Sequence, residues 1–166
     1  MARIRFSRLD DYSLQLSRLA ANTEEIAGKA IYAGAGIITD AIRANIEGLQ
    51  AVSDKEGLLA YQKKDPAPLT QTAKQGLLDG LGITPMQNDG GYWNVKVGFD
   101  GYNDLQSKKY PNGQPNQMIA RSLESGSSIA KKRPFVRPAV NASRKQAEAK
   151  MAEVLDQEIK NTMDAD

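Results

Sequence analysis

Residues 26–49, IAGKAIYAGAGIITDAIRANIEGL, are the part of the chain in which helical periodicity is clearest. Apolar residues recur there every three or four positions and form two neighbouring stripes: Ile26, Ala30, Ala33, Ile37, Ala41 and Ala44, beside Ile31, Ile38, Ile42, Ile46 and Leu49. This spacing predicts an amphipathic helix over about 14–49. Asn22 or Thr23 could cap it, which would leave 11–20 as a separate short helix. We expect a core helix, and a dedicated interface helix is the alternative.

A β-hairpin is predicted next, because Asp89, Gly90 and Gly91 form a turn sequence between 83–88 and 92–99. In the second strand the larger apolar side chains alternate with polar ones and should face the long helix; they are Trp93, Val95, Val97 and Phe99. Pro85 has no N–H to donate to a ladder, so it restricts the first strand to an edge or a late start.

The remaining segments complete the expected architecture. Residues 54–68 are predicted to be a connection, 70–81 a short helix, and 100–115 a polar loop that is mobile in a monomer. A further short helix is predicted from an Asn116 cap to Gly126, with a pair between Arg121 and Glu124. We predict the α+β class over a single domain, 1–166, in which a long N-terminal helix and a C-terminal helix over 138–161 pack on a small antiparallel sheet.

An extended strap is predicted over 131–138. Pro134 and Pro138 fix their own φ angles and push the residues before them toward extended conformations. Alternation along such a strap would put Phe135 and Arg137 on one side. Two roles remain open at this point: the strap docks the last helix on its own domain, or it reaches a neighbouring subunit.

Composition restricts the chemistry that the chain can perform. There are 166 residues with neither cysteine nor histidine, so disulfides, thiolate metal sites and the commonest general base are excluded. No phosphate-binding loop, dinucleotide fingerprint or nucleophile elbow is present. No apolar run approaches the ~20 residues that cross a bilayer. We therefore expect no enzyme activity, no catalytic residue, no cofactor, no metal and no membrane partner.

Basic charge is concentrated in 108–137. The net charge of the chain is +2, yet this segment contains a single acidic residue, Glu124, against seven basic ones: Lys108, Lys109, Arg121, Lys131, Lys132, Arg133 and Arg137. Two functional interpretations compete: contact with nucleic-acid phosphates, or docking on an acidic partner. A solvated basic rim is the alternative to both.

Two motifs resemble a known family. Residues 119–126, IARSLESG, followed by Arg133-Pro134-Phe135-Val136-Arg137-Pro138-Ala139, resemble the neck and tail-completion proteins of tailed phages, a head-tail morphogenesis family that includes the minor tail protein Z of phage lambda. In the first motif Ser125 stands where the family has an aromatic residue, and Ser127 where it has threonine.

The resemblance implies a structural virion protein of the phage neck or tail, assembled in the host cytoplasm, that joins connector and tail. Its partners would be identical subunits in a sixfold ring, the neighbouring connector or stopper, tail terminator or tail tube proteins, and DNA in the lumen. The implied interface residues are Arg121, Glu124, Gly126, Arg133, Pro134, Phe135, Arg137 and Pro138, and the possible DNA or partner contacts are Lys108, Lys109, Lys131 and Lys132. A sequence-nonspecific nucleic-acid-binding module is the alternative function.

Overall fold

The computed structural model describes residues 7–63, 65–106, 108–128 and 130–164, with side chains described from residue 11 onward. Helices and short strands follow one another in these residues in the order α1 (Ser7–Glu47), α2 (Asp54–Gln62), α3 (Gln71–Gly80), β1 (Leu81–Ile83), β2 (Gln87–Asp89), β3 (Tyr92–Asn94), β4 (Val97–Phe99), α4 (Asn116–Ser125) and α5 (Val136–Met163). The predicted α+β class is confirmed: the described residues contain a long N-terminal helix, a long C-terminal helix and two small antiparallel strand pairs.

Helix α1 is continuous from Ser7 to Glu47, so the prediction of a separate helix over 11–20 is wrong. Thr23 does not cap a new helix. Its hydroxyl donates instead to the carbonyls of Leu19 (2.8 Å) and Ala20 (3.2 Å), within the same helix. A threonine that bonds back to the preceding turn satisfies its hydroxyl without ending the helix, which explains the error.

Helices α1 and α5 pack against each other in antiparallel directions. Lys29 forms an ion pair of 2.7 Å with Glu158, and farther toward the start of α1 the Gln15 side chain donates to the carbonyl of Met163 (3.2 Å). Gly34 lies directly under Met151, whose side chain occupies the space that a Cβ would need. The absence of a side chain at Gly34 therefore lets the two helices approach closely.

Helix α2 occupies part of the segment predicted to be a connection, and that prediction is wrong for 54–62. Ser53 accepts a hydrogen bond from the Glu56 amide, and the Glu56 carboxylate accepts one from the Ser53 amide, which is a capping box. Helix α3 has the predicted position: Thr70 caps it and Leu81 follows it.

The predicted hairpin forms, but its two strands are each interrupted. Strands β2 and β3 pair around Gly90 and Gly91, both of which have positive φ, and β1 pairs with β4 at the other end. Pro85 lies in the gap between β1 and β2. Trp93, Val95, Val97 and Phe99 are all half-buried. Val97 and Phe99 pack against the core, and their strand β4 contacts α3 and α4, whereas β3, which contains Trp93, contacts the long helix α1.

The loop over 100–115 is closed at its base. The Asn103 amide donates to Gln114 (3.0 Å) and the Asn116 amide to Gly101 (3.1 Å), which joins the two ends of the loop. Asn116 is the first residue of α4 rather than its cap, which is Pro115. Its side chain donates to the Asp100 carbonyl (2.9 Å) because the fold places that group within reach.

The core lies where α1, α3, α4 and the start of α5 meet. Its buried members lie between positions 42 and 139 of the chain: Ile42, Ile46, Leu69, Ala73, Leu77, Leu81, Ile119, Ala120, Leu123, Phe135 and Ala139. The second stripe of α1 supplies Ile42 and Ile46, which confirms the core role predicted for that helix. Helix α5 begins at Val136, two residues before its predicted start at Pro138.

Candidate functional site

The motif residues meet at the joint between α4 and α5. Both Glu124 carboxylate oxygens accept backbone hydrogen bonds from the start of α5: from Phe135 at 2.8 Å, Val136 at 3.0 Å and Arg137 at 3.0 Å. The first amides of a helix have no partner within it, and the N-terminal end of the helix dipole favours negative charge. Glu124, which belongs to α4, therefore caps α5.

This geometry corrects the prediction of a pair between Arg121 and Glu124. Arg121 is exposed, and among the ion pairs of the described residues none includes it. The carboxylate of Glu124 instead points to α5, because three aligned N–H donors bind it better than one exposed guanidinium does. Gly126 follows α4 as its C-cap with φ +77°, as its predicted role as helix stop requires.

Phe135 anchors the joint in the core of its own chain, which is the first of the two roles left open by the sequence. Its side chain is 1% exposed, and its ring meets that of Phe99 edge-on at 5.8 Å between centroids. The Asn45 side-chain amide in α1 donates to the Phe135 carbonyl (2.8 Å). One residue thus connects α1, β4 and α5.

The predicted strap belongs to no helix or strand over 131–135, and the prediction for 136–138 is wrong. Val136, Arg137 and Pro138 form the first turn of α5, where successive side chains rotate by about 100°. Phe135 and Arg137 consequently do not share a side, since the first is buried and the second exposed. Pro138 fits this first turn because it lacks only an N–H that the helix does not use.

Arg133 also contributes to the joint rather than to an open surface. Its amide donates to the Leu123 carbonyl (2.7 Å), and its guanidinium to the Gln50 carbonyl (3.3 Å). It is half-buried, while Pro134 is exposed. The segment before α5 is therefore bound to the end of α4 and to the residues that follow α1.

The four candidate contact lysines form two pairs at opposite ends of α4. Lys109 lies 5.4 Å from the ring centre of Tyr110, whose hydroxyl contacts the Met118 sulfur near the start of α4. Lys132 lies beside Gly126, at its end. Lys108, Lys109, Lys131 and Lys132 are all exposed, and none of them takes part in an ion pair with another described residue.

The acidity of Glu124 reflects these contacts. Partial burial of the carboxyl opposes its ionisation, but the amides of Phe135, Val136 and Arg137, with the charge of Arg137, outweigh that effect and hold the pKa of Glu124 below its usual value of 4.5. A carboxyl with a lowered pKa in the folded state stabilises the fold above its unfolded pKa, and the contribution is lost as pH falls through the folded pKa.

We expect Glu124→Gln to lower the free energy of unfolding by about 1–2 kcal/mol at pH 7, because charge-assisted hydrogen bonds to the start of α5 are lost. The difference from the parent chain should shrink as pH falls below the usual value of 4.5. Urea denaturation at several pH values measures both effects. Glu148→Gln is the control, since Glu148 is exposed and forms an ion pair with the exposed Arg144. A Glu124 effect that did not change with pH would contradict the capping role.

Sequence reasoning missed two features, one at the start of α2 and one in the loop before α4. Ser53 and Glu56 have the Ser-x-x-Glu spacing of a capping box, so α2 could have been found from the sequence. Asn103 is different: its buried side-chain oxygen accepts hydrogen bonds from Leu105 (3.0 Å) and Gln114 (3.1 Å) and organises the loop, but no local pattern indicates that an asparagine in a polar loop is buried.

Comparisons of this chain with protein-family models, with curated proteins and with solved structures found no match. Within 7–63, 65–106, 108–128 and 130–164, no helix is long and apolar enough to cross a membrane. The same residues contain no group of three carboxylates placed to hold a metal ion. The site is thus defined by its geometry alone. Glu124 of α4 caps the start of α5, and two pairs of exposed lysines lie near the ends of α4.

Proposed function

We propose that this chain is a structural virion protein at the head-tail junction of a tailed phage, a neck or tail-completion subunit that joins connector and tail. The observation that carries the proposal is the joint itself. The two motifs that resemble the phage family, around Glu124 and around Phe135, are separated in sequence and form one unit through three hydrogen bonds of 2.8–3.0 Å. The two motifs together form one structural element. Proteins that share a fold would be expected to keep both parts of such an element.

The joint sets the direction of α5 and leaves other surfaces for assembly. Phe135, Arg133 and Glu124 contact their own chain, so they act in assembly by holding the subunit in shape. The exposed lysine pairs at the two ends of α4 remain as charged contacts for a neighbouring ring or for DNA in the lumen. In this proposal the subunit forms a ring with other copies in the virion.

The test is to inactivate the gene in the phage that encodes it and to examine particles by electron microscopy. We expect filled heads and complete tails that are not joined, and joining should be restored when the gene is supplied in trans. Joined, infectious particles without the protein would reject the proposal. Supplying the double variant Lys131→Gln/Lys132→Gln tests the charged contact, with Lys145→Gln/Lys160→Gln, also exposed, as the matched control.

A sequence-nonspecific nucleic-acid-binding module is the second candidate, supported by the exposure of the same four lysines and by their lack of ion pairs among the described residues. It requires that the purified chain bind duplex DNA at low salt. The affinity should fall steeply as salt rises. The slope of log affinity against log salt concentration should become shallower by about 0.9 for each phosphate contact that a substitution removes. Absence of binding at low salt would eliminate this candidate.

A further inference from the structure

An aspartate or asparagine precedes a glycine at four places in the chain. They are Asp79–Gly80, Asp89–Gly90, Asp100–Gly101 and Asn112–Gly113. In such a pair the backbone nitrogen of the glycine can bond to the side-chain Cγ of the residue before it and close a five-membered succinimide ring. Glycine favours this attack because it has no Cβ to hinder the approach. The four pairs differ in what the side chain and the glycine nitrogen contact.

At Asp100–Gly101 the glycine nitrogen faces the side chain that it would attack. Gly101 donates its N–H to Oδ1 of Asp100 at 2.7 Å. Because Cγ is bonded to that oxygen, the nitrogen and Cγ lie about 3–3.5 Å apart, which is the separation of a near-attack geometry. Gly101 is exposed and has φ +74°, and the side-chain nitrogen of Asn116 approaches the position of its Cβ only to 3.8 Å. There is consequently room around Gly101 for the ring to form.

The backbone on both sides of the Asp100 side chain is held in place. The Asp100 amide donates to the Gly80 carbonyl (2.8 Å), and the Asp100 carbonyl accepts from the Asn116 side chain (2.9 Å). The Asn116 amide donates in turn to the Gly101 carbonyl (3.1 Å). These bonds reduce the conformational freedom that the two reacting groups must lose, and fixed proximity of this kind accelerates an intramolecular reaction.

In the other two aspartate pairs the carboxylate is held by a different group. Asp79 and Gly80 lie in α3, where backbone N–H groups point along the helix axis, and the Asp79 carboxylate accepts from the Gln75 side chain (2.8 Å). The Asp89 carboxylate accepts from the Asn94 side chain (2.9 Å). Both aspartates are therefore less well placed for attack than Asp100.

The asparagine pair is protected through its glycine. Gly113 is buried, and its N–H donates to the Tyr110 carbonyl at 3.1 Å. Attack on Asn112 requires this nitrogen to leave its partner. The pair with the most reactive leaving group is thus the one whose nucleophile is already occupied.

We propose that Asp100 isomerises to isoaspartate through a succinimide formed with Gly101, so that this pair is a site of spontaneous modification. The Gly101 nitrogen loses its proton and bonds to Cγ of the protonated carboxyl, and the carboxyl hydroxyl leaves as water. A water molecule then opens the ring at one of its two carbonyl carbons. Opening at Cγ restores aspartate. Opening at the backbone carbonyl carbon leaves the chain running through Cγ, which is isoaspartate.

Isomerisation would alter the base of the 100–115 loop. The Asp100 backbone carbonyl, which accepts from the Asn116 side chain, becomes a free carboxylate. The additional backbone carbon displaces Gly101, whose carbonyl accepts from the Asn116 amide. Both bonds between the start of the loop and α4 would change. The inference is independent of the proposed function, since it depends only on the chemistry of this pair.

Incubation in heavy-oxygen water tests the proposal on the full chain. Each passage through the succinimide places one heavy oxygen atom in the carboxylate, and peptide fragmentation assigns that atom to Asp79, Asp89 or Asp100. The chain is incubated folded and, in parallel, unfolded in urea, both in mildly acidic buffer. We expect incorporation at Asp100 in the folded chain to exceed that at each of the other two by at least fivefold, and this preference to disappear in urea. Incorporation at Asp100 no faster than at Asp79 and Asp89 in the folded chain would overturn the proposal.

Asp100→Asn provides a second measurement with a matched control inside the same chain. This variant has the same dipeptide at 100–101 as at Asn112–Gly113, and ammonia rather than water leaves from both, so mass spectrometry follows both as deamidation. In the folded variant we expect position 100 to react at least fivefold faster than Asn112, because the Gly113 nitrogen is bonded to Tyr110. Equal rates, or faster loss at Asn112, would overturn the role assigned to the Gly101 nitrogen.

Discussion

Replacing Phe135 with alanine is expected to lower the free energy of unfolding by about 3–5 kcal/mol. The side chain is 1% exposed and lies in the core with Ile42, Ile46 and Leu123, and its ring contacts Phe99. Truncation would leave a cavity that the surrounding helices cannot fill without disturbing the Asn45 contact to the Phe135 carbonyl. Since single domains are stable by only about 5–15 kcal/mol, the variant should be close to the limit of folding.

Urea denaturation followed by circular dichroism measures this loss. Phe135→Leu is the matched control and should cost less than half as much, since it keeps most of the apolar volume. An alanine variant that retained nearly all of its stability would contradict the core position. The expected loss also has a consequence for phage experiments: a joining defect caused by Phe135→Ala would report on folding, so surface variants such as those at Lys131 and Lys132 are the informative ones.

Gly113→Ala is expected to destabilise the chain by about 2–5 kcal/mol, through two effects that add. Gly113 has φ +94°, where a side chain costs about 1–2 kcal/mol. In addition, its Cβ would collide with the backbone carbonyl of Asn103, the residue whose amide donates to Gln114 and closes the loop. Overpacking of that kind costs about 1–3 kcal/mol more. The loop base between Asn103 and Gln114 should open as a result.

Gly90→Ala separates the two effects. Gly90 also has positive φ, at +66°, but no atom lies within 4 Å of the position of its Cβ. We expect this variant to lose only about 1–2 kcal/mol. Hydrogen exchange of the amides of Asn103 and Asn116 should accelerate in Gly113→Ala and remain unchanged in Gly90→Ala. Equal stability losses in the two variants would show that the loop base is not tightly packed.

Much of the fold follows from local patterns. The two stripes of α1 arise because apolar residues every three or four positions must share a side of a helix. Both stripes supply buried residues, Ile26 and Ala30 from the first and Ile42 and Ile46 from the second. The turn at Gly90 and Gly91 follows from the need for positive φ in a tight hairpin. Pro85 interrupts the strand because it cannot donate a ladder hydrogen bond.

Local patterns failed where a polar side chain had two available partners. Threonine is a common N-cap residue, but it caps a helix only where the residues before it are not helical. Here the preceding residues are helical, and the Thr23 hydroxyl donates to the Leu19 carbonyl within α1. The i, i+3 spacing of Arg121 and Glu124 on one helix predicts a pair between them. Its actual partners are eleven to thirteen residues away, at the start of another helix.

The sequence by itself determined the α+β class, the long helix, the hairpin and the concentration of basic charge in 108–137, because each depends on residues close together in the chain. Only the tertiary structure decided that Glu124 caps α5 and that Phe135 belongs to the core of its own chain. Those results depend on how α4 and α5 approach each other. That approach is set by the burial of Leu123, Phe135 and Ala139 against α1, and no local spacing encodes it.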